Sequence, residues 1–231
     1  MSFVFPPAPA VSVPVAGSGQ QFPVHRIYCV GRNYVEHAQE MGHTGREPPF
    51  FFMKPADAIV PVAEGSTGSI AYPPLTANFH HEIELVVAIG TGGANIPAAD
   101  AASHIWGYAV GLDMTRRDLQ NDMKKQGRPW DIGKGFEQSA PIGPLVPKSA
   151  SGELLRGAIT LSVNGALRQK GDLQQLIWSV NETIEQLSRA WVLAPGDLIF
   201  TGTPAGVGAV ARGEVMEGAI EGLPTLRVAV A

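Results

Sequence analysis

The chain reads as a β-rich α+β domain carrying a few short inserted helices. Short apolar runs bounded by Gly, Pro or Asn recur along it, at 24–30, 50–53, 80–90, 105–112, 198–201 and 226–230. That is the pattern of strands separated by turns. A second observation is the hairpin signal at 160–168, where Asn164-Gly165 suits the two positive-φ positions of a type I′ turn. Third, sustained helical spacing is confined to one long stretch. There Leu173, Ile177, Val180, Ile184 and Leu187 recur at intervals of three and four and share a face.

Taken in order, residues 1–23 are rich in Pro, Val, Ala and Gly and read as an arm or irregular strands ahead of a single domain at 24–231. The run 24–30 is a strand ending at Gly31. Residues 33–41 form a short helix with Asn33 as N-cap and Gly42 as its stop. The aromatic run 50–53 is a strand closed by Lys54-Pro55. Asp172 is expected to cap the longest helix, which stops ahead of the Pro195-Gly196-Asp197 turn. Lys124, Lys125 and Arg128 form the densest basic stretch, read as a solvated helix end and loop. No internal repeat or linker interrupts the chain.

Composition narrows the function classes. Of 231 residues, 45% are hydrophobic and 16% charged, with a net charge of −4, so core material is ample and disorder is not indicated. An acidic balance argues against a nucleic-acid partner, because phosphate binding needs a basic field. The longest apolar runs fall short of a membrane span, and Pro6, Pro7, Pro9 and Pro14 break the start as a signal segment. A single Cys29 excludes an intrachain disulfide, which fits a reducing cytoplasm. Set in the apolar run Ile27-Tyr28-Cys29-Val30, it reads as an inert core thiol.

Chemistry concentrates in a few places. Glu82 and Glu84 flank Ile83 in a strand-like run, and a period of two points both to one face. Asp113 ends the second apolar run, 105–112. Two acids at the mouth of a strand entering a core repel each other and resist desolvation unless a cation sits between them. With Asp113 they could form a cup of hard oxygen ligands suited to Mg²⁺ or Mn²⁺; two surface glutamates on an edge strand are the plainer alternative. His37 and Glu40, three apart on the early helix, share a face, and a carboxylate holding one imidazole nitrogen makes the other a better base. A surface histidine with an incidental neighbour is the alternative there. Lys134 lies between Gly133 and Gly135, placed to stabilise an anion or simply solvated on a loop. The stretch 201–208, with Thr201, Thr203 and three glycines, lacks the ending of a nucleotide loop. It could hold a carboxylate or be an ordinary turn. The serine elbow Gly-x-Ser-x-Gly does not occur.

Together and in this order, these elements resemble the fumarylacetoacetate hydrolase family. The matching stretches are Cys29-Val30-Gly31-Arg32-Asn33-Tyr34, His80-His81-Glu82-Ile83-Glu84-Leu85, Gly111-Leu112-Asp113-Met114-Thr115 with Arg117 and Gln120, Lys134-Gly135-Phe136, and Pro195-Gly196-Asp197 through Gly208. The resemblance implies a mixed β-sandwich roll, a divalent cation on Glu82, Glu84 and Asp113, and hydrolysis of a carbon–carbon bond in a β-diketo acid. It maps the water-activating pair onto His37 and Glu40, and oxyanion or substrate contacts onto Arg117, Gln120, Lys134 and Thr203. It also suggests a homodimer. Within the family the likeness is greatest to compact members that cleave fumarylpyruvate in gentisate breakdown. A dianionic substrate would need a cation at each end, for which Arg32, Arg117 and Lys134 are available. General acylpyruvate hydrolysis, oxaloacetate decarboxylation, isomerase or hydratase activity, and keto-acid binding without turnover are the alternatives.

Overall fold

The computed structural model describes residues 2–34 and 46–231. The expected helix at 33–41, with His37 and Glu40, therefore lies outside the described residues beyond Tyr34. The architecture is the expected mixed β-roll. Its central sheet runs in the order Phe51–Lys54, Ile27–Val30, Leu198–Phe200, Ile83–Ile89, Ile105–Leu112, Ala140–Ile142 and Ile59–Pro61, with Val146–Pro147 also paired to Ile105–Leu112. A second sheet runs Ala166–Asp172, Ala158–Val163, Val215–Ile220, Leu226–Val230 and Thr67–Ile70. Parallel pairs join Leu198–Phe200 to Ile27–Val30 and Ala140–Ile142 to Ile59–Pro61, whereas Ile83–Ile89 and Ile105–Leu112 are antiparallel.

Alternation along Ile83–Ile89 explains the layers. Ile83, Leu85, Val87 and Ile89 join Ile159, Leu161, Met216, Val228 and Val230 in one core between the two sheets. Val86 and Ala88 face the other way and join Cys29, Ala109, Phe200 and Ile142 in a second core. Burial on both faces is why all seven residues of this strand are buried, and why its sequence is an unbroken apolar run after Glu84. The Pro-rich start closes the second core. Ser12–Pro14 pairs with Gln21–Pro23, and Val13, Val15 and Phe22 are buried within it, while Phe3, Val4 and Phe5 stay exposed.

Several elements form as the residues dictate. Asn164 and Gly165 take φ of 50° and 80° between Ala158–Val163 and Ala166–Asp172, the geometry of the expected tight turn. Cys29 is free and fully buried, and burial first, then the nearby Asp113 charge, raises its thiol pKa well above the ordinary range. Among the described residues no helix is long and apolar enough to cross a membrane.

The long helix from Asp172 is corrected to two pieces. Asp172 caps only the short 3-10 turn Leu173–Gln175, and the helix proper is Val180–Ala190, capped by Ser179 in a reciprocal box with Glu182. Between them the chain is drawn out by Asn33, whose carbonyl accepts from the Ile177 amide and whose side chain bonds both the amide and the carbonyl of Trp178. Tertiary bonds thus override a helical period that runs straight through. The Asn33 side chain, expected as a local cap, is spent instead on Trp178 and on the Thr201 carbonyl.

One buried polar residue ties the second sheet to the strand entering the site. Gln169 accepts from the Ile83 amide at 3.1 Å, lies 2.8 Å from His81 Nδ1, and donates to Thr203 Oγ1 and the Pro204 carbonyl at 2.8 Å each. It is fully buried. Replacing it by leucine strands these groups without partners, so Gln169→Leu is expected to lower unfolding free energy by roughly 2–3 kcal/mol, as read by urea denaturation.

Candidate metal centre and active site

The strand register builds the site. Ile83 pairs with Leu112, and the Asp113 amide donates to the Glu82 carbonyl at 2.8 Å. Glu82 and Asp113 are therefore opposite each other at the end of one antiparallel pair, and Glu84 is one step further in on the same face. Just beyond, both chains leave the central sheet: Phe79–His81 and Thr115–Arg116 pair with each other, and Gly208–Ala209 completes a small third sheet. The three carboxylates stand at this junction. All are buried, each offering an oxygen within 4.8 Å of the others.

Like charges this close in a buried setting demand cations. Lys134 Nζ donates to Glu82 Oε2, Asp113 Oδ2 and Thr115 Oγ1 at 2.7 Å each. Arg117 donates to both Glu82 Oε1 and Gln120 Oε1. Lys54 Nζ lies 2.9 Å from Asp113 Oδ1 and donates to the Met114 carbonyl at 3.1 Å and to the Lys134 carbonyl. Glu84 Oε2 accepts from the Gly202 amide at 2.7 Å. Burial, then the charges of Asp113 and Glu82, still raise the Glu84 carboxyl pKa well above its ordinary range. Burial works against the Lys134 ammonium, yet Asp113 and Glu82 outweigh it and raise its pKa.

Buried Asp113 Oδ1 accepts no aligned hydrogen bond among the described residues, although the Lys54 ammonium stands 2.9 Å away. Three buried carboxylates this close, one of whose oxygens accepts no aligned hydrogen bond, fit a hard divalent cation, since carboxylate oxygens are the ligands Mg²⁺ and Mn²⁺ take. Glu82, Glu84 and Asp113 are the residues that could hold it.

Seven of the expected site residues line one small cavity: Arg32, Glu82, Glu84, Asp113, Arg117, Gln120 and Lys134, with Thr203 as an eighth. His37 and Glu40 fall outside the described residues. Lys134 is not on a flexible surface loop; it ends the short helix Asp131–Lys134 and is buried. Gly133 is required there, because a Cβ would lie 2.8 Å from the Gln120 amide nitrogen. Lys54, Gln169 and the Gly202 amide were missed by sequence reasoning. Lys54 ends an aromatic strand and is the one buried residue within Phe51–Lys54, a burial that its neighbours in sequence do not mark.

Comparison with known proteins agrees with this geometry. The family model for fumarylacetoacetate (FAA) hydrolase, C-terminal, matches residues 26–231. The chain belongs to the fumarylacetoacetate hydrolase family. A fumarylpyruvate hydrolase of Ralstonia sp is 45% identical over 184 residues, 80% of this chain and 93% of that protein. A mitochondrial oxaloacetate tautomerase of Rattus norvegicus is 42% identical over 201 residues, 87% of this chain and 89% of that one. Among solved structures, fumarylpyruvate hydrolase from Pseudomonas aeruginosa in complex with Mn2+ and pyruvate superposes with a TM-score of 0.98 at 61% identity, covering 100% of this chain and 99% of that one.

Lys54 provides a test of the charge framework. Lys54→Met keeps the length of the side chain but leaves two carbonyls and Asp113 without its ammonium. The variant is expected to lose about 3 kcal/mol of stability, measured by chemical unfolding against the parent protein.

Proposed function

We propose that this protein is a divalent-metal-dependent hydrolase that cleaves the carbon–carbon bond of an acylpyruvate, with fumarylpyruvate, giving fumarate and pyruvate in gentisate degradation, as its substrate. The observation that carries the reading is the buried cup of Glu82, Glu84 and Asp113, set beside Arg117, Gln120 and Lys134. A relative 61% identical that holds Mn2+ and pyruvate supports it. Held by the three carboxylates, Mg²⁺ or Mn²⁺ would supply a Lewis acid for the pyruvyl end of the substrate.

The chain's own residues do the rest. His37, oriented by Glu40, takes a proton from the water that attacks the distal keto carbon. Gln120 and Lys134 are the donors for the oxyanion that forms. In this structure all three Lys134 protons are directed to Glu82, Asp113 and Thr115, so its service as an oxyanion donor requires it to give up one of these bonds. Arg117 and Thr203 bind the pyruvyl end, and Arg32 meets the far carboxylate of the acyl chain. The same reading takes residues 1–23 as an arm, 24–231 as the catalytic domain, and the protein as a cytoplasmic homodimer.

A second reading follows from the oxaloacetate relatives. Both the rat tautomerase and a Dictyostelium discoideum oxaloacetate decarboxylase, 40% identical over 200 residues, share most of this chain. Oxaloacetate tautomerisation or decarboxylation would use the same metal cup without hydrolysis. Assaying purified protein on fumarylpyruvate, acetylpyruvate and oxaloacetate separates the two readings.

Removing the metal should abolish turnover of all three, and adding Mg²⁺ or Mn²⁺ should restore it. Glu84→Gln should weaken Mn²⁺ binding by roughly tenfold or more in calorimetry while the far-ultraviolet circular dichroism stays that of the parent. Full activity after exhaustive chelation sinks the metal assignment.

His37→Ala should lower kcat on fumarylpyruvate by about a hundredfold or more, the usual contribution of a general base. Mn²⁺ affinity should be unchanged, because the proposed ligands are Glu82, Glu84 and Asp113. Near-normal turnover in this variant would place the base elsewhere.

A further inference from the structure

Next to the small cavity of the carboxylates lies a larger one of about 470 Å³. The two share Arg32 and Phe52, so these side chains stand where the cup adjoins the larger space. Its walls are aromatic: Phe50 and Trp130 meet edge to face at 5.2 Å, and Phe52 lies 5.9 Å from Trp130. Two guanidinium groups, Arg32 and Arg128, line it, with Asp131 the acid on the same wall. Arg32 stacks over Phe50 at 5.0 Å, and its buried Nη1 has no hydrogen-bond partner among the described residues. A buried donor without an acceptor, beside a cavity, points to an anionic ligand.

Arg128 is held at the cavity by backbone, not by chance of a loop. The helix Arg117–Lys125 ends with Gln126, and Gly127 turns back at φ +63°. The Gly127 amide donates to the Lys124 carbonyl at 3.2 Å, and the Arg128 amide to the Met123 carbonyl at 2.9 Å. These are the paired bonds of a Schellman stop, which fixes the residue after the glycine. The same helix starts at Arg117 and Gln120, on the cup. One rigid element thus sets a guanidinium at each end of the combined cavity.

We propose that Arg128, together with Arg32, forms a subsite for the distal anionic group of the substrate, making the enzyme selective for acylpyruvates that end in a second carboxylate. The inference rests on the reading that the cup takes the pyruvyl end. The aromatic wall accommodates a planar unsaturated chain between the two charges, and both guanidinium groups can meet a carboxylate in the fork geometry that lysine cannot reproduce.

The test uses Arg128→Gln and Arg128→Lys in the full-length protein. Arg128 is exposed, so neither change opens the core. The ratio of kcat/KM for fumarylpyruvate over acetylpyruvate should fall about tenfold or more in Arg128→Gln, with Arg128→Lys between it and the parent. An unchanged ratio, or an equal loss on both substrates, overturns the subsite. Fumarate binding by calorimetry supplies a readout without turnover: its affinity should fall at least fivefold in Arg128→Gln. Equal affinity, or no binding to either protein, overturns the subsite even if acylpyruvates are hydrolysed. A parent protein that hydrolyses no acylpyruvate but loses fumarate affinity on Arg128→Gln overturns the parent reading and retains the subsite.

Discussion

Three carboxylates held within 4.8 Å of one another and shielded from water repel strongly, and much of the surrounding fold answers that repulsion. Lys134 and Arg117 come from the segment after the central hairpin, Lys54 from an edge strand, and the Gly202 amide from the chain following Leu198–Phe200. Three separate stretches therefore converge on one cluster of charge. Such clusters stabilise a fold weakly, since desolvation offsets much of the attraction. What they do fix is position, because removing any one partner leaves a buried charge exposed to its neighbours.

The positions of the acids follow from pairing, not from loop conformation. A strand buried on both faces has little freedom of register, and a one-residue slip would turn Glu84 into the core between the sheets. Ile83, Leu85, Val87 and Ile89 on one side, with Val86 and Ala88 on the other, hold that register by packing. The site is precise because it is made of the most rigid strands in the molecule, with the junction to the small third sheet opening a gap where Glu82 and Asp113 stand. Gly111 contributes by omission: a Cβ there would lie 2.5 Å from Val86 and 2.7 Å from Phe200.

Much of this was legible in the sequence, for physical reasons. Period-two spacing placed Glu82 and Glu84 on one face, and an apolar run with an acidic end placed Asp113, because burial and alternation are local properties of a strand. The same logic gave the Asn164-Gly165 turn. Lys54 was not legible, since whether a lysine at a strand end is buried depends on the carbonyls of Met114 and Lys134 far along the chain. Gln169 was hidden likewise: its strand is mostly exposed, and nothing local marks the one residue turned inward. The helix from Asp172 failed in the opposite sense. Its period was right, but bonds to Asn33, more than a hundred residues earlier, unwound its first part.

The placement of Leu198–Phe200 carries a consequence for how the protein is made. This late strand lies between Ile27–Val30 and Ile83–Ile89, so until nearly the whole chain has been made Ile27–Val30 can pair only with Phe51–Lys54, and the two halves of the central sheet stay unjoined. Contacts this distant in sequence slow folding, and in the interval each half of the central sheet carries an open edge.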